Sequence, residues 1–197
     1  MKIGIIGKGF VGSAVQFGFS ANTGCDAEVK VYDKDPNRSQ NSLKEVLDCS
    51  DFVFLSVPTP ANFDGSVNLD IVEEALNSIN EINSRDNIIL LRSTMVPGST
   101  NRFAELYPKL NLVFNPEFLT ERSAKFDFIN QSRYIVGGDP AHTSKVIDMY
   151  RWRFGQSISV IETNTETAEL IKYMNNCFFA TKVSFMNEMK LVADACG

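Results

Sequence analysis

The sequence predicts an α/β fold in which a doubly wound, mostly parallel sheet is followed by one long C-terminal helix. Short apolar runs of strand length alternate with longer segments that carry apolar residues at helical spacing, as in a parallel sheet covered on both faces. Between Asn164 and Ala195 the chain contains no Pro or Gly. This last segment is therefore predicted to form a single helix of about 30 residues.

The predicted elements follow one another in regular order. Strands are predicted at Lys2–Ile6, Glu28–Tyr32, Phe52–Val57, Ile88–Leu91, Leu112–Phe114, Tyr134–Val136 and Ser157–Ile161. Helices are predicted at Phe10–Ser20, Leu43–Leu47, Leu69–Ile82, Ser99–Leu106 and Thr143–Arg153. We expect two parts, a sheet domain of residues 1–163 and a helical segment of residues 164–197. The helix is too long to be covered by the sheet alone, so part of it is expected to contact another domain or subunit.

Composition and charge restrict the classes of protein and partner. With 197 residues, 44% of them hydrophobic, the chain can bury one sizeable core. A net charge of −5 argues against a nucleic-acid or anionic-membrane surface, and no apolar stretch approaches the length of a membrane span. The four cysteines lie far apart without metal-ligand spacing. We therefore expect a reduced, cytoplasmic protein without a metal site, whose partner is small and soluble.

The segment Gly7–Gly12 has the pattern GxGxxG and lies between the first predicted strand and the first predicted helix. In a Rossmann-like fold these glycines allow a tight turn, close approach of a pyrophosphate, and close packing of helix on strand. Asp33 ends the second strand about 20 residues later, where a carboxylate binds ribose hydroxyls and repels a 2′-phosphate. The pattern favours NAD over NADP, although Lys34 and Arg38 could offset that repulsion. A purely structural glycine turn is the alternative.

Two more segments follow strands at the edge where ligands bind in such sheets. Ser56–Pro60 has prolines that fix an extended backbone, so direct contact with a cofactor and a rigid connection are both open. Thr94 follows the fourth strand, where its small polar side chain can hold a water or a ligand oxygen. Ser99 or Thr100 is expected to cap the helix that comes next.

Two carboxylates four residues apart lie in Asn115–Glu121, directly after the fifth strand. Pro116 removes a backbone donor and ends that strand. Glu117 and Glu121 are therefore candidates for acid–base chemistry at the carboxyl edge of the sheet. The alternative is a helix N-terminus, where acidic side chains complement the helix dipole.

On the long helix, Lys172 and Asn176 are four residues apart and share one face. Two such donors can stabilise a developing oxyanion. Spacing alone favours the alternative, an ordinary solvated pair of Lys172 with Glu169.

Taken together, these segments resemble the UDP-glucose/GDP-mannose dehydrogenase family over essentially the whole chain. The resemblance is carried by the segments GKGFVG, VYDKDPNR, SVPTP, RSTMVPGST, NPEFLTERSAKFDF and ETAELIKYMNNCFFATKVSFMNE. It implies oxidation of a primary alcohol at the sixth carbon of a nucleotide-sugar to a carboxylate, with two NAD used in sequence.

The resemblance also implies roles for individual residues. Thr94 matches a threonine near the nicotinamide that helps to hold a catalytic water, and Glu117 matches a glutamate that activates water for thioester hydrolysis. Glu121 matches a glutamate of the cofactor and active-site network. The residues expected to bind the cofactor are Gly7, Gly9, Phe10, Val11, Gly12, Asp33, Arg38, Val57, Thr59, Thr94 and Glu121. Those expected along the nucleotide-sugar are Glu117, Phe118, Leu119, Thr120, Lys172 and Asn176, of which Lys172 and Asn176 stabilise oxyanionic intermediates.

One departure from the family is large. The family's nucleophile is a cysteine in a downstream GGxCxPKD-like segment, which this sequence does not contain. Cys177 lies within the predicted helix and Cys196 at its end, and neither matches the motif. We therefore expect an N-terminal, NAD-binding part of such an enzyme, inactive without its nucleophile.

The PEFL pattern favours UDP-glucose as the substrate, with GDP-mannose as an alternative, and a homodimer through the long helix is expected. Two other classes of function remain open. One is a single-step NAD(P)-dependent hydroxyacid or imine dehydrogenase, which shares the fold but gives Glu117 and Glu121 no role. The other is a non-catalytic dinucleotide-binding module.

Overall fold

The computed structural model describes all 197 residues and contains one seven-stranded sheet. The strands are β1 Lys2–Ile6, β2 Glu28–Tyr32, β3 Phe52–Leu55, β4 Ile88–Leu91, β5 Asn111–Phe114, β6 Tyr134–Gly138 and β7 Val160–Thr163. They lie in the order β2-β1-β3-β4-β5-β6-β7, and every neighbouring pair is parallel except β5 with β6. The predicted fold class, a mostly parallel and Rossmann-like sheet followed by a long helix, is confirmed.

Seven α-helices surround the sheet. They are α1 Phe10–Gly18, α2 Leu43–Cys49, α3 Asp70–Ile82, α4 Ser99–Leu106, α5 Ala124–Ile129, α6 Pro140–Phe154 and α7 Thr165–Cys196. Helix α5 was not predicted, because its six residues are too few to show helical periodicity. The last strand, β7, begins and ends a few residues later than predicted.

Two apolar layers cover the two faces of the sheet. The first contains buried side chains of α1, α5 and α6, among them Val15, Phe128 and Val146. The second contains buried side chains of α2, α3, α4 and the start of α7, such as Leu76 and Phe103. With both faces covered, ligands have access to the sheet mainly at its edges.

The carboxyl ends of five strands lie level with one another. Parallel register aligns Tyr32 with Ile6, Ile6 with Leu55, Leu55 with Leu91, and Leu91 with Phe114. The residues that follow these strands therefore form a row along the edge of the sheet. In the order of the strands, the row is Asp33, Gly7, Ser56, Arg92 and Asn115.

The chain reverses the direction of sheet building at β1, because β2 lies on one side of β1 and β3 on the other. Such a switch point opens a crevice at the carboxyl ends of the strands, since the two connecting helices lie on opposite faces. Gly7 and Ser56 come directly after β1 and β3 at this point. The fold therefore places the glycine-rich turn in the crevice.

Helix α7 packs on the sheet only through its first turns. Its buried residues, Thr165, Ala168, Glu169 and Lys172, share one face of the helix. Ala168 lies directly over Gly137 of β6, where an added Cβ would come within 2.5 Å of the Ala168 Cβ. Outside this buried face, α7 carries exposed apolar side chains, namely Leu170, Met174, Phe178, Phe179, Val183, Phe185, Met186, Met189, Leu191 and Val192. None of the helices has the combination of length and apolar composition that a bilayer crossing requires.

A buried carboxylate fastens the start of α7 to the N-terminus of α4. Glu169 is fully buried and accepts hydrogen bonds from the backbone N–H of Gly98, at 2.6 Å, and from both the N–H, at 2.8 Å, and the hydroxyl, at 2.6 Å, of Thr100. Burial raises the pKa of this carboxyl, and the donated hydrogen bonds oppose that rise. The expectation that Ser99 or Thr100 caps α4 is wrong. Gly98 occupies the cap position, and the capping oxygens come from Glu169, because a partly positive helix N-terminus attracts a carboxylate.

We expect Glu169→Gln to lower the free energy of unfolding by about 1–3 kcal/mol, because the amide NH₂ would face a backbone N–H and leave a buried donor without an acceptor. Urea denaturation measures the change. Glu166→Gln is the matched control, since Glu166 is exposed and its side chain accepts a hydrogen bond only from Asn101. Its effect should stay within about 0.5 kcal/mol. Equal losses in the two variants would contradict the proposed capping role.

Candidate active site

A cleft of about 770 Å³ runs along the carboxyl ends of β2, β1, β3 and β4. This volume is in the range of small-molecule and cofactor sites. Nine of the residues expected to bind a cofactor line the cleft, namely Gly7, Gly9, Phe10, Val11, Asp33, Arg38, Val57, Thr59 and Thr94. Glu117 lies in its wall as well.

The glycine turn leaves room for an anion at the N-terminus of α1. Gly7 has a φ of 91°, and an added Cβ would lie 2.5 Å from the Ser56 carbonyl oxygen. A Cβ on Gly12 would lie 1.9 Å from the Gly7 carbonyl oxygen, so Gly12 supports the turn from behind rather than lining the cleft. A Cβ on Gly9 would meet nothing within 4 Å, and no side chain caps α1. The first amides of α1 can therefore bind an anion approaching past Gly9.

At the β2 end of the cleft, Asp33 is held by the backbone. Its carboxylate accepts hydrogen bonds from the N–H of Lys8, at 2.5 Å, and from the N–H of Asp35, at 2.9 Å. The two cations that could favour a 2′-phosphate both have acidic partners. Lys34 pairs with Glu74 at 2.8 Å, which raises the lysine pKa, and Arg38 lies 3.4 Å from Asp35. These pairs reduce the positive charge available near Asp33.

Two hydrogen bonds join the loops that follow β3 and β4. The Thr59 hydroxyl donates to the Thr94 carbonyl oxygen at 2.9 Å, and the Ser93 hydroxyl donates to the Val57 carbonyl oxygen at 2.6 Å. The Thr94 backbone is thus fixed in the wall of the cleft, and its side chain is half-buried there. The loop after β3 lines the cleft and forms a rigid connection, and its direct contact with a cofactor stays a prediction.

A buried ion pair lies where the cleft meets α7. The Lys172 ammonium donates to the Glu117 carbonyl oxygen at 2.6 Å and to its carboxylate Oε1 at 2.9 Å. The other carboxylate oxygen accepts from the Leu119 N–H at 2.7 Å. The side chains of Lys172 and Glu117 are only 5% and 11% exposed. The alternative of a solvated Lys172–Glu169 pair is therefore wrong, because each of these residues is buried with a different partner.

The Phe118 ring lies close to two cations, one of which is Lys172 of this pair. The Lys172 ammonium is 5.5 Å from the ring centroid, and the Arg133 guanidinium is 5.6 Å away. A second, smaller cleft of about 360 Å³ begins at Phe118 and continues past Arg133 to Asn175 and Phe179 of α7. The NPEFL segment therefore separates the two clefts.

The structure does not bring every expected site residue into these clefts. Glu121 is exposed at the start of a 3₁₀ turn, Glu121–Ser123, and Thr120 precedes it with its N–H bonded to Asp127 at 2.8 Å. Asn176 lies one turn beyond Lys172 on α7 and is exposed. Leu119 packs against the first apolar layer. The roles expected for these residues stay predictions.

A buried polar network, which was not predicted from the sequence, lies beside the cleft. Arg92 is 2% exposed, and its Nη1 donates to the side-chain oxygen of Asn115 at 2.5 Å and to the Tyr150 hydroxyl at 3.3 Å. Asn115 donates in turn to the Ile135 carbonyl oxygen at 2.7 Å. Burial raises the pKa of Tyr150. The sequence contained one sign of this burial. Arg92 directly follows the apolar run of β4, and the alternation of side chains along a strand places it on the same buried face as Leu90.

Comparison with known proteins agrees with this geometry. The NAD binding domain model of the UDP-glucose/GDP-mannose dehydrogenase family matches residues 37–153, and the central domain model of the same family matches residues 166–197. The chain belongs to the UDP-glucose/GDP-mannose dehydrogenase family. NAD is accordingly its cofactor, and the open position at Gly9 and the uncapped start of α1 fit a pyrophosphate.

Individual relatives agree with the family models. UDP-glucose 6-dehydrogenase from Rickettsia typhi is 38% identical over 151 residues, which cover 74% of this chain and 34% of the relative. GDP-mannose dehydrogenase from Pseudomonas aeruginosa superposes with a TM-score of 0.83 at 25% identity, covering 95% of this chain and 52% of that one. UDP-glucose dehydrogenase from Pyrobaculum islandicum superposes with a TM-score of 0.81 at 28% identity, again covering 95% of this chain and 52% of that one. The chain thus spans about a third to a half of the length of these proteins.

We expect Gly9→Ala to fold normally but to bind NAD at least about tenfold more weakly, because its added methyl group would occupy the space that a pyrophosphate needs. Its φ of −75° suits any residue, so the free energy of unfolding should be unchanged or slightly higher. Gly12→Ala is the contrasting variant and should lose stability through the clash with Gly7. Calorimetric titration with NAD and urea denaturation measure both effects. Undiminished NAD affinity in Gly9→Ala would contradict a pyrophosphate at this turn.

Proposed function

We propose that the chain is the NAD-binding part of a nucleotide-sugar 6-dehydrogenase that converts UDP-glucose to UDP-glucuronate. The reaction would comprise two successive NAD-dependent oxidations through a thiohemiacetal and a thioester on a cysteine outside these 197 residues. The observation that carries the proposal is the buried Lys172–Glu117 pair. It joins the two most family-specific segments, NPEFL and ELIKYMNN, at the end of the cofactor cleft.

The cleft would bind an extended dinucleotide in one direction. The Asp33 carboxylate would accept from the adenosine ribose hydroxyls, and the free amides at the start of α1 would bind the pyrophosphate. The nicotinamide half would then extend towards Thr94 and Glu117, at the opposite end of the same cleft. NAD, when bound, supplies a hydride acceptor for the sixth carbon of the sugar.

Lys172 would stabilise negative charge that develops on the substrate oxygen. Its ammonium has three donors, of which two contact Glu117 in this structure. It is nine-tenths buried, where a positive charge acts more strongly on a nearby oxyanion than it would in water. Asn176, on the same face of α7, would add a second donor.

Glu117 would act as the base that activates water for hydrolysis of the thioester. The Leu119 N–H and the Lys172 ammonium each hold one carboxylate oxygen, so the group is fixed in one orientation. Thr94 would hold the attacking water, and Glu121 would join the cofactor network. Phe118, Leu119 and Thr120 would lie along the nucleotide-sugar.

UDP-glucose is the favoured substrate because the chain keeps the PEFL pattern and matches relatives that are named UDP-glucose 6-dehydrogenases. GDP-mannose is the second candidate, given the P. aeruginosa neighbour. We also propose that the chain divides into a sheet domain of residues 1–163 and a helical segment of residues 164–197. The protein would be cytoplasmic, and it would form a homodimer through the exposed apolar side chains of α7.

Two other functions would be distinguished by simple observations. A single-step hydroxyacid or imine dehydrogenase would keep its rate in Glu117→Gln, whereas the proposed enzyme would accumulate a covalent intermediate in the presence of its nucleophile. A non-catalytic dinucleotide-binding module is favoured by a natural stop codon after Gly197. It is excluded by a reading frame that continues through a GGxCxPKD-like segment.

We expect the 197-residue chain to bind NAD, to prefer it over NADP, and to produce no NADH from NAD and UDP-glucose. Asp33→Asn should lower the ratio of the dissociation constants for NADP and NAD by about tenfold, because it removes a charged acceptor and the repulsion of a 2′-phosphate. The exposed Asp26→Asn is the matched control and should leave the preference unchanged. Calorimetric titration and absorbance at the NADH band measure these quantities. Appreciable turnover by the chain alone would contradict the need for an external cysteine.

A further inference from the structure

Arg92 is a buried cation at the β4 end of the cofactor cleft. It follows β4 in the row of residues at the carboxyl edge of the sheet, and it contributes to the wall of the cleft with Ser93 and Thr94. Its Nη1 is hydrogen-bonded to Asn115 and Tyr150. Its Nε and Nη2 are buried and have no hydrogen-bond partner in the protein.

No acidic side chain balances this charge. None of the salt bridges in the protein involves Arg92. Its guanidinium instead lies 5.7 and 5.8 Å from the ring centroids of Phe54 and Phe128. Glu117, whose carboxylate also lies in the cleft wall, is already paired with Lys172. Because an arginine keeps its charge when buried, the protein retains this cation at an energetic cost that packing alone does not explain.

The position of Arg92 relative to a bound dinucleotide follows from the row of strand ends. Asp33 lies at β2 and Arg92 at β4, with β1 and β3 between them. Neighbouring strands are about 4.8 Å apart, so these two residues are separated by roughly 14 Å along the edge. With the adenosine ribose at Asp33 and the pyrophosphate at Gly9, the nicotinamide half reaches the Arg92 end.

We infer that Arg92 biases the bound cofactor towards its reduced form, and thereby favours hydride uptake from the substrate. When a hydride bonds to the nicotinamide ring, the ring loses its positive charge, so NADH is one unit more negative than NAD⁺. A fixed cation at the nicotinamide end of the cleft therefore weakens the binding of NAD⁺ relative to that of NADH. The inference rests on NAD binding in this cleft and does not depend on the identity of the sugar.

The size of the effect follows from Coulomb's law. At an effective dielectric constant of about 20, a unit charge about 10 Å from the ring changes the relative affinity for the two forms on the order of tenfold. If Arg92 had only a structural role, its substitution would change the affinities for NAD⁺ and NADH by the same factor. The ratio of the dissociation constants for NAD⁺ and NADH therefore separates the electrostatic role from a packing role.

The test is titration of the 197-residue chain with NAD⁺, NADH and ADP-ribose, which lacks the nicotinamide. The unsubstituted chain should bind NADH about tenfold more tightly than NAD⁺. Arg92→Met should bring the ratio close to one and leave ADP-ribose affinity unchanged, whereas Arg92→Lys, which keeps the charge, should preserve the ratio within about twofold. Tyr150→Phe is the control that removes a neutral partner of Arg92 without changing the charge, and it should also preserve the ratio.

Several results would overturn the inference. Equal affinities of the unsubstituted chain for NAD⁺ and NADH would do so without any variant, which covers the case in which Arg92→Met does not fold. An electrostatic role would also be contradicted if Arg92→Met left the ratio of the two dissociation constants unchanged. It would be contradicted as well if Arg92→Lys lowered that ratio as much as Arg92→Met does. A chain that binds neither NAD⁺ nor NADH would overturn the proposed function together with this inference, whereas binding of both at an unchanged ratio would overturn this inference alone.

Discussion

A buried ion pair between Lys172 and Glu117 connects the three parts of the molecule that the proposed chemistry needs. It joins the loop after β5 to α7, and it does so in the wall of the cofactor cleft. Two charges removed from water are stable only when each has close partners, and here the ammonium and both carboxylate oxygens have them. The position of α7 and the conformation of the NPEFL segment therefore constrain each other.

Glu169 completes this arrangement from the same face of α7. It lies one turn before Lys172 and binds the N-terminus of α4, while Lys172 binds the loop after β5. A helix held at two points one turn apart has a fixed rotation about its axis. The direction of the exposed remainder of α7 is set by these two contacts, although neither lies in that part of the helix.

The charged and polar groups of the cleft follow one another in a fixed order along the edge of the sheet. A carboxylate at β2, free amides at β1 and a buried guanidinium at β4 follow one another in the row that the parallel register creates. In the proposed binding mode, these groups would bind the ribose, pyrophosphate and nicotinamide parts of NAD in that order. The fold would thus supply both the position and the polarity of the cofactor site.

The features that could be predicted from sequence were those encoded locally. The glycine turn and Asp33 belong to one β-α-β segment with fixed spacing, and they occupy one cleft as expected. Glu117 was predicted as a strand-end carboxylate from its position after β5. Its neighbour Lys172 is 55 residues away in sequence, so only the resemblance to a family indicated that they act together.

The features that were missed depend on contacts between distant segments. The cap of α4 comes from Glu169, about 70 residues later, whereas local rules consider only the residues beside the helix. The burial of Arg92 was not predicted, because it results from Phe54, Phe128 and Tyr150 on other elements. Spacing alone favoured a solvated Lys172, since burial of a lysine cannot be deduced from one helix.

A crystal structure of the chain with NAD⁺ would show whether the cofactor binds in this direction. We expect the adenosine ribose at Asp33, the pyrophosphate at the start of α1, and the nicotinamide ring beside Thr94 and the Lys172–Glu117 pair. A dinucleotide bound in the reverse direction, or one whose nicotinamide lies away from that pair, would contradict this expectation.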